Sequence, residues 1–402
     1  SHFTQHAHVF RARLGKKPLK YFFDGEKFIF ASELKALFTF AIPRKLDLEA
    51  VDEFLTLQYV PSPKTGFKDI SKLPAGHYFL LDMNSKELVV KKYFDIDFVN
   101  KRTLSREEWK QELEAAFERA VKRRLISDVP LGAFLSGGID SSAVVVFMSR
   151  ISPKVKTFSI VFDEPAFDER KYARMVAAHC NTEHTEFTVR PSDLLEHFDF
   201  LVKHFEEPFA DSSALPTFLL SKLTREQVTV ALSGDGGDEN FGGYDRYQAH
   251  LQALLLRPFL APFSSLSSTP RLFGEKLSIL LRTAGGSPAQ RHYNFTNYFD
   301  EGSKERLFRE EILQRLSTRK NPFEILLEGK AFSPLDSLFY LDLRSYIPDD
   351  INVKVDMASM ANALEVRAPF LDHEFVELTA QMPADYKLRL GKGKLILREM
   401  LS

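Results

Sequence analysis

The stretch that decides the fold is Leu135-Ser136-Gly137-Gly138-Ile139-Asp140-Ser141-Ser142. It follows a short apolar run, Pro130–Leu135, which predicts a buried strand, and it opens a helix predicted over Ile139–Arg150. Two adjacent glycines let the backbone approach a ligand closely, and the free N–H groups at the start of the helix attract an anion. Strand, glycines and helix together predict a phosphate-binding loop.

Asp140 is the unusual member of this loop, because its carboxylate would repel a phosphate. A divalent cation between the two removes that repulsion, so the sequence predicts Mg²⁺ bridging Asp140 and a polyphosphate. The loop differs from a P-loop, since no Lys-Ser/Thr pair follows the glycines, and from the pattern G-x-G-x-x-G. The alternative is a glycine-rich turn that only starts a helix.

Outward from this loop, strands and helices alternate along the chain. The predicted strands after the first are Lys156–Phe162, Glu183–Val189 and Gln227–Leu232, and the helices between them are Asp168–His179, Asp193–Phe205 and Thr217–Leu223. Such alternation implies an α/β fold with a parallel sheet and right-handed crossovers. A long amphipathic helix, Arg106–Arg124, precedes the sheet, and the chain is mostly helical from about Tyr244 onward.

A second glycine-rich loop, Ser233-Gly234-Asp235-Gly236-Gly237-Asp238-Glu239, also follows a predicted strand directly. In a parallel sheet the carboxyl ends of the strands face one crevice, so we expect the two loops to meet there. Asp238 is then a second candidate Mg²⁺ ligand, and Asp235 is a candidate for contact with the reacting centre. The alternative is an acidic surface loop.

Two further segments carry candidate residues. Lys354 is a candidate functional cation, whereas a structural salt-bridge cluster is at least as good an explanation as catalysis for Glu365 and Arg367. Asp211 and Ser212 precede a predicted helix, where lining a substrate pocket and capping the helix are equally good roles.

Residues 1–95 differ from the rest and predict an α+β segment. Asp24-Gly25 joins two β-rich runs, Leu19–Phe23 and Lys27–Ala31, and so predicts a hairpin. A second strand pair is predicted at His77–Asp82 and Glu87–Phe94. The first strands have no obvious partners, which is the pattern expected of part of a domain.

Composition excludes several classes of protein. At about 150 residues per domain, 402 residues predict two or three domains. Apolar residues make up 44% and charged residues 27%, as in globular proteins.

The net charge of −1 gives no global attraction to nucleic acid or an anionic membrane. The single cysteine, Cys180, cannot form an intrachain disulfide, so a cytoplasmic location is expected. No apolar run reaches the roughly 18 residues of a membrane helix.

These motifs, in this order, resemble those of glutamine-dependent asparagine synthetases. The resemblance rests on Ser136–Ser142, Ser233–Glu239 and Leu364–Asp372, together with N-terminal stretches that include Leu14–Leu19 and Leu73–His77. It implies a Rossmann-like ATP pyrophosphatase synthetase domain over 106–402, with extra C-terminal helices. It also implies that 1–95 is the end of an N-terminal-nucleophile glutaminase domain. In comparison with the family's chain, both ends are expected to be missing.

The resemblance implies a mechanism as well as a fold. Aspartate would attack the α-phosphate of ATP and release pyrophosphate, and ammonia, normally made from glutamine, would open the resulting β-aspartyl-AMP. Asp235 and Lys354 are the candidate catalytic residues, and Asp140 and Asp238 match the family's Mg²⁺ carboxylates. Ile160 matches a position that faces adenine. The candidate ATP-binding residues are Leu135, Ser136, Gly137, Gly138, Asp140, Ser141, Ser142, Ile160, Ser233 and Gly234.

The sequence also departs from the family. Ser1 is not the cysteine nucleophile of the glutaminase, so use of ammonia but not glutamine is expected. Met357 stands where many members have Lys or Arg, and Lys354, one helical turn earlier, could reach the same side. Two alternatives to asparagine synthesis stay open: adenylation of another carboxylate, and a non-catalytic ATP-binding scaffold. The oligomeric state stays open too, with a homodimer as one option.

Overall fold

The computed structural model describes residues 6–162, 169–260 and 285–402. The start of the helix predicted from Asp168 lies outside these residues. No helix in the described ranges is long and apolar enough to cross a membrane.

The N-terminal segment forms two small antiparallel sheets. Their strands are β1 (His6–Phe10), β2 (Lys20–Phe23), β3 (Phe28–Ala31), β4 (Ile70–Lys72), β5 (His77–Asp82) and β6 (Leu88–Lys92). The orders are β1-β5-β6 and β3-β2-β4, which confirms both predicted hairpins. The expectation that the first strands lack partners is wrong, because β2 also pairs with β4. At three residues, β4 is too short to give a strand pattern.

A five-stranded parallel sheet forms the centre of the rest of the chain, which confirms the predicted α/β class. Its strands are β7 (Leu131–Phe134), β8 (Lys156–Phe162), β9 (Glu183–Val189), β10 (Val230–Leu232) and β11 (Glu365–Arg367), in the order β11-β10-β7-β8-β9. The chain runs outward from β7 to β9 and then returns to place β10 on the other side of β7. The direction of winding therefore reverses between β7 and β10.

Helices cover this sheet and form most of the C-terminal part. Before the central gap they are Arg106–Arg124, Ile139–Ile151, Arg170–His179, Pro191–Glu196, Phe198–Phe205, Ala214–Arg225, Gly237–Phe241 and Asp245–Leu260. After it they are Pro288–Phe295, Glu301–Leu307, Glu310–Leu316, Pro322–Leu327, Pro334–Leu341, the π-helix Asp342–Ile351, Asn352–Met360, His373–Gln381, Ala384–Lys387 and Leu395–Met400. The single helix predicted over Asp193–Phe205 is wrong, since two helices meet at His197.

The long helix Arg106–Arg124 begins with a capping box between Ser105 and Glu108. Its buried face packs Phe117 against Phe147 and Phe370, with ring centroids 5.1 and 4.3 Å apart. The same core cluster includes Leu135 of the loop that follows β7, and Ala143 and Val144 of the helix that this loop opens.

The N-terminal segment is tied to the helices at 342–360 by buried polar contacts. Arg11 donates to the carbonyl of Pro348 at 3.0 Å, and Asn352 donates to the carbonyl of Leu14 at 2.8 Å. The backbone N–H of Ser62 donates to Asp349 at 2.7 Å. The helices at 342–360 therefore contact the N-terminal segment as well as the C-terminal part to which they belong.

Lys387 is a buried lysine in an apolar environment. Its Nζ lies 4.6 Å from the ring centroid of Phe339 and 5.4 Å from that of Phe98, and no hydrogen-bond partner for it exists within the described ranges. Burial, together with the positive charge of Lys101, lowers its pKa to about 7.

We expect Lys387→Met to raise the free energy of unfolding at pH 7 by about 1–3 kcal/mol, because Met keeps the packing without a charge to bury. The pKa of Lys387 is about 7 in the folded state against 10.5 for an ordinary lysine, so the unfolded chain binds more protons between these values. The free energy of unfolding of the wild type should therefore rise with pH in this range. The amount by which the variant exceeds it should become smaller. Urea denaturation from pH 7 to 10 measures this, with the exposed Lys392→Met as control. An advantage that does not change with pH would contradict it.

Candidate active site

The two glycine-rich loops lie side by side at the reversal point of the sheet. The first follows β7 and the second follows β10, and Leu232 of β10 pairs with Ala133 of β7. Crevices at such reversal points are the usual ligand sites of open α/β sheets. The predicted meeting of the two loops is confirmed.

Backbone contact between the loops requires glycine. A methyl group on Gly234 would lie 2.7 Å from the backbone nitrogen of Ser141, and one on Gly237 would overlap the Asp140 carboxylate. The second loop therefore packs directly against the start of the helix that the first loop opens.

Hydrogen bonds within the first loop fix its shape. The hydroxyl groups of Ser136 and Ser141 form a hydrogen bond, with their oxygens 3.0 Å apart. The backbone N–H of Gly138 donates to Ser136 Oγ at 3.2 Å. Gly138 is the N-cap of the helix Ile139–Ile151, and no side chain caps that helix. Its first N–H groups are thus available to an anion, as a phosphate-binding loop requires.

Asp140 and Asp238 converge on a residue that the sequence analysis missed. Lys394 Nζ lies 2.6 Å from Asp140 and 2.8 Å from Asp238. Burial and the charge of Asp238 raise the pKa of Asp140 to about 7, while Lys394 opposes this shift. Burial lowers the pKa of Lys394, but the two carboxylates outweigh it and the net direction is upward. The only local feature of the sequence that marks the position of Lys394 is the turn-forming run Gly391–Lys394.

The donor set fits the predicted Mg²⁺. Asp140 Oδ1 is buried with no hydrogen-bond partner among the described residues, as expected of an oxygen that awaits a cation. Within the described ranges, no group of three or more His, Cys, Asp or Glu side chains could hold a metal. Two carboxylates suit Mg²⁺, which usually keeps several waters and shares phosphate oxygens.

A cavity of about 530 Å³ extends from these loops between β8 and the helix Asn352–Met360. Seven of the predicted ATP-binding residues line it: Leu135, Ser136, Asp140, Ser141, Ile160, Ser233 and Gly234. The cavity is also lined by Asp235, Asp238 and Lys354. The structure therefore brings most of the sequence-predicted residues to one cavity.

Lys354 is held at this cavity by a second cluster of polar groups. Its Nζ lies 2.8 Å from both Asp211 Oδ2 and Ser213 Oγ. Burial lowers its pKa, but Asp211 and Asp235 raise it and prevail, so the ammonium form is favoured. Asp235 accepts a hydrogen bond from Ser233 Oγ at 2.7 Å.

Met357 does not share this position. Its side chain is buried in an apolar cluster with Leu201, Phe205 and Phe218. Lys354 lines the cavity instead, so a cation is present at the site although position 357 carries none.

The remaining predicted residues lie outside this cavity. Gly137 and Gly138 shape the first loop, and Ser142 Oγ donates to the Gly138 carbonyl at 2.7 Å. Ser212 lines neighbouring cavities.

Glu365 and Arg367 lie on the edge strand β11, which the sequence analysis did not predict. They pair at 2.7 Å, and Arg367 also donates to the carbonyl of Ile126 at 2.8 Å. They line a different cleft, which reaches Asp235 from the other side. Their contacts are those of a structural ion pair.

Comparison with known proteins identifies the family. A family model described as asparagine synthase matches residues 112–402, and one described as a glutamine amidotransferase domain matches residues 1–94. The chain belongs to the asparagine synthase family, which confirms the resemblance seen in the motifs.

Similar curated proteins support this family assignment. An asparagine synthetase (glutamine-hydrolyzing) of Bacillus subtilis is 32% identical over 97% of this chain and 62% of its own length. A putative one of Methanocaldococcus jannaschii is 34% identical over 90% of this chain and 70% of its own. A Penicillium rubens protein named amidase chyE is 26% identical over 97% of this chain and 64% of its own. The chain thus spans about three fifths of the Bacillus relative.

We expect Gly237→Ala to destabilise the protein, because the added methyl group overlaps Asp140 and forces the loops apart. Overpacking of this kind costs about 1–3 kcal/mol, which should lower the thermal midpoint by several degrees. Differential scanning calorimetry measures the change.

Gly302→Ala is the matched control. A methyl group there comes no closer than 3.9 Å to Asp300 Oδ1, so the midpoint should stay constant or rise slightly. Equal midpoints for Gly237→Ala and wild type would contradict the close packing of the loops.

Proposed function

We propose that the protein is an ATP-dependent amide-forming ligase that converts aspartate to asparagine. The observation that carries the proposal is the cavity in which both glycine-rich loops, Asp235 and Lys354 meet. Membership of the asparagine synthase family supports it.

In this proposal the first loop binds the phosphates of ATP. The uncapped N–H groups after Gly138 and the Ser136 hydroxyl face the anion, and Ile160 packs against adenine. Ser233 and Gly234 of the second loop complete the site. Asp140 and Asp238 would hold Mg²⁺, which when bound neutralises charge on the leaving pyrophosphate. Lys394, between the two carboxylates, supplies a further positive charge there.

Two steps form the amide. A β-carboxylate oxygen of aspartate attacks the α-phosphorus, the bond to pyrophosphate breaks, and β-aspartyl-AMP remains. Ammonia then attacks the acyl carbon, loses a proton and displaces AMP. Lys354 stabilises negative charge near the reacting carboxylate, and Asp235 contacts the acyl-adenylate and is placed to accept the proton.

Incubation with ATP, Mg²⁺, aspartate and ammonium should yield asparagine, AMP and pyrophosphate in equal amounts. We expect Asp140→Ala to lower the rate at least 100-fold, because it removes one of the two carboxylates at the pyrophosphate. Chromatography of the nucleotides and a pyrophosphate assay measure both results. The exposed Asp385→Asn is the control and should retain wild-type activity. Formation of ADP in place of AMP, or full activity of Asp140→Ala, would exclude this assignment.

A second candidate is the same adenylation chemistry on another carboxylate. It is favoured by the likeness to a relative that is named an amidase and not an asparagine synthetase. In both proposals ATP is cleaved to AMP, so only the acyl substrate differs.

A panel of carboxylates, each with ATP and ammonium, separates the two candidates. If the first is right, aspartate should give at least tenfold higher kcat/KM than glutamate, succinate or a peptide carboxylate. Pyrophosphate release is the readout for every substrate. A higher value for another carboxylate would replace asparagine synthesis with the second candidate.

A further inference from the structure

The loop Glu206–Ser213, here called the bridge loop, joins the helix Phe198–Phe205 to the helix Ala214–Arg225. Residues in its first half hydrogen-bond to the N-terminal segment, and residues at its end hydrogen-bond to Lys354. One short loop therefore connects the N-terminal segment to the cation of the proposed catalytic site.

Glu206 holds the start of the bridge loop. Its carboxylate accepts hydrogen bonds from the backbone N–H groups of Leu34 at 2.5 Å and Lys35 at 3.1 Å. These residues open the helix Leu34–Leu37, so Glu206 satisfies N–H groups that a helix start leaves free. Glu206 has a φ of +66°, a left-handed conformation that is uncommon for residues other than glycine. Such a conformation persists where the surrounding contacts hold it.

Glu207 forms a buried ion pair with the N-terminal segment. Its Oε1 lies 3.0 Å from Lys72 Nζ, and both side chains are 6% exposed. Its Oε2 accepts a hydrogen bond from the backbone N–H of Gly66 at 3.1 Å. Removal of one partner of a buried pair leaves an uncompensated charge, which costs more than loss of an exposed pair. Loss of Glu207 should therefore release the loop from the N-terminal segment.

Two further contacts lie between Glu207 and the end of the loop. Ala210 donates its N–H to the carbonyl of Gln58 at 2.9 Å. Pro208 packs so closely on Gly66 that a methyl group on this glycine would lie 2.9 Å from the proline Cδ. Asp211 follows Ala210 directly in the chain. The fixed part of the loop is thus one residue away from the partner of Lys354.

Asp211 and Ser213 hold Lys354 at the other end of the bridge loop. Asp211 Oδ2 and Ser213 Oγ each lie 2.8 Å from Lys354 Nζ. Ser213 Oγ also donates to Asp211 Oδ1 at 2.6 Å. Within the described ranges, the ammonium group makes no other hydrogen bonds. Its position in the cavity therefore depends on where the loop places Asp211.

We propose that Glu207 is a positioning residue for the amide-forming reaction. Through its ion pair with Lys72 it fixes the bridge loop, and the loop holds the Lys354 ammonium where the reaction requires it. Glu207 lines a neighbouring cavity and not the one at the glycine-rich loops, so it acts through Lys354 and not on the substrate. This inference rests on the proposed function, in which Lys354 stabilises charge at the reacting carboxylate. Misplacement of such a group by about 1 Å can lower a rate about 100-fold.

Glu207→Gln tests the inference, because the amide keeps the shape and removes the charge. In pyrophosphate assays with aspartate and ammonium, we expect kcat to fall at least tenfold, because Lys354 is no longer held in place. The KM for ATP should change less than twofold, since the glycine-rich loops bind the phosphates. An unchanged kcat in a variant that melts like wild type would overturn the inference.

Glu112→Gln is the matched control. It makes the same change in an ion pair with Arg102, 2.7 Å long, on the helix Arg106–Arg124. It should keep the wild-type kcat. A fall equal to that of Glu207→Gln would show that loss of any such ion pair lowers the rate, and the inference would be wrong.

A second variant separates positioning from a merely structural role. In an Asp211→Asn background, Glu207→Gln should lower kcat less than twofold further, because the contact through which it acts is already weakened. The same tenfold fall in both backgrounds would contradict the inference.

If Glu207→Gln melts below wild type, the double variant Glu207→Gln/Lys72→Met leaves no charge of this pair buried alone. It should recover the thermal midpoint but not kcat. Recovery of kcat together with the midpoint would show that stability alone sets the rate, and would overturn the inference.

The reactivity of the Lys354 amine gives a readout that needs no turnover. Burial lowers the pKa of Lys354, whereas Asp211 raises it. Asp235 and Asp350 also raise this pKa, but less than Asp211. Displacement of Asp211 should therefore leave more of the amine unprotonated, and the unprotonated amine is the form that reacts with acylating reagents.

Acetylation by acetic anhydride at pH 9 without ATP separates failure of this inference from failure of the proposed function. Mass spectrometry gives the rate at Lys354 relative to the exposed Lys392. We expect this ratio to rise at least threefold in Glu207→Gln and to stay constant in Glu112→Gln. That result would support the positioning role even if no asparagine were formed. An unchanged ratio in Glu207→Gln would overturn it.

Discussion

The site depends on backbone-to-backbone contact between the two loops at the reversal point of the sheet. Gly234 and Gly237 pack against the first turn of the helix that begins at Ile139, where no side chain would fit. This contact brings Asp140 and Asp238 together and creates a concentration of negative charge. Lys394 lies between the two carboxylates, which would repel each other without a cation nearby.

The loops could be predicted from the sequence because their signals are local. Each combines a short apolar strand, adjacent glycines and an acidic residue within about ten positions, and parallel topology then requires them to meet. Ile160, which lines the same cavity, was named for a different reason. It was carried over from the family resemblance, since its own surroundings give only a strand pattern.

What was missed depends on contacts between distant parts of the chain. Lys394 is 254 positions from Asp140, and nothing around it marks it as a partner for two carboxylates. Strand β11 has three residues with a charge at each end, so its pattern favoured an ion-pair cluster over a strand. The π-helix gives no periodicity that distinguishes it from an α-helix, and Asp350 therefore looked like any other charged residue. Met357 could be assigned to an apolar cluster only once the helices around it were in place.

The contacts with Pro348, Asp349 and Asn352 hold the N-terminal segment against the helical stretch that borders the site. The stretch they hold carries Asp350, and Lys354 follows within one turn. A displacement of the N-terminal sheets would therefore have to break these hydrogen bonds or move the stretch that carries both side chains. Among the described residues 6–95, none lines the cavity at the glycine-rich loops, so this segment reaches the site through that stretch of helix and through the bridge loop.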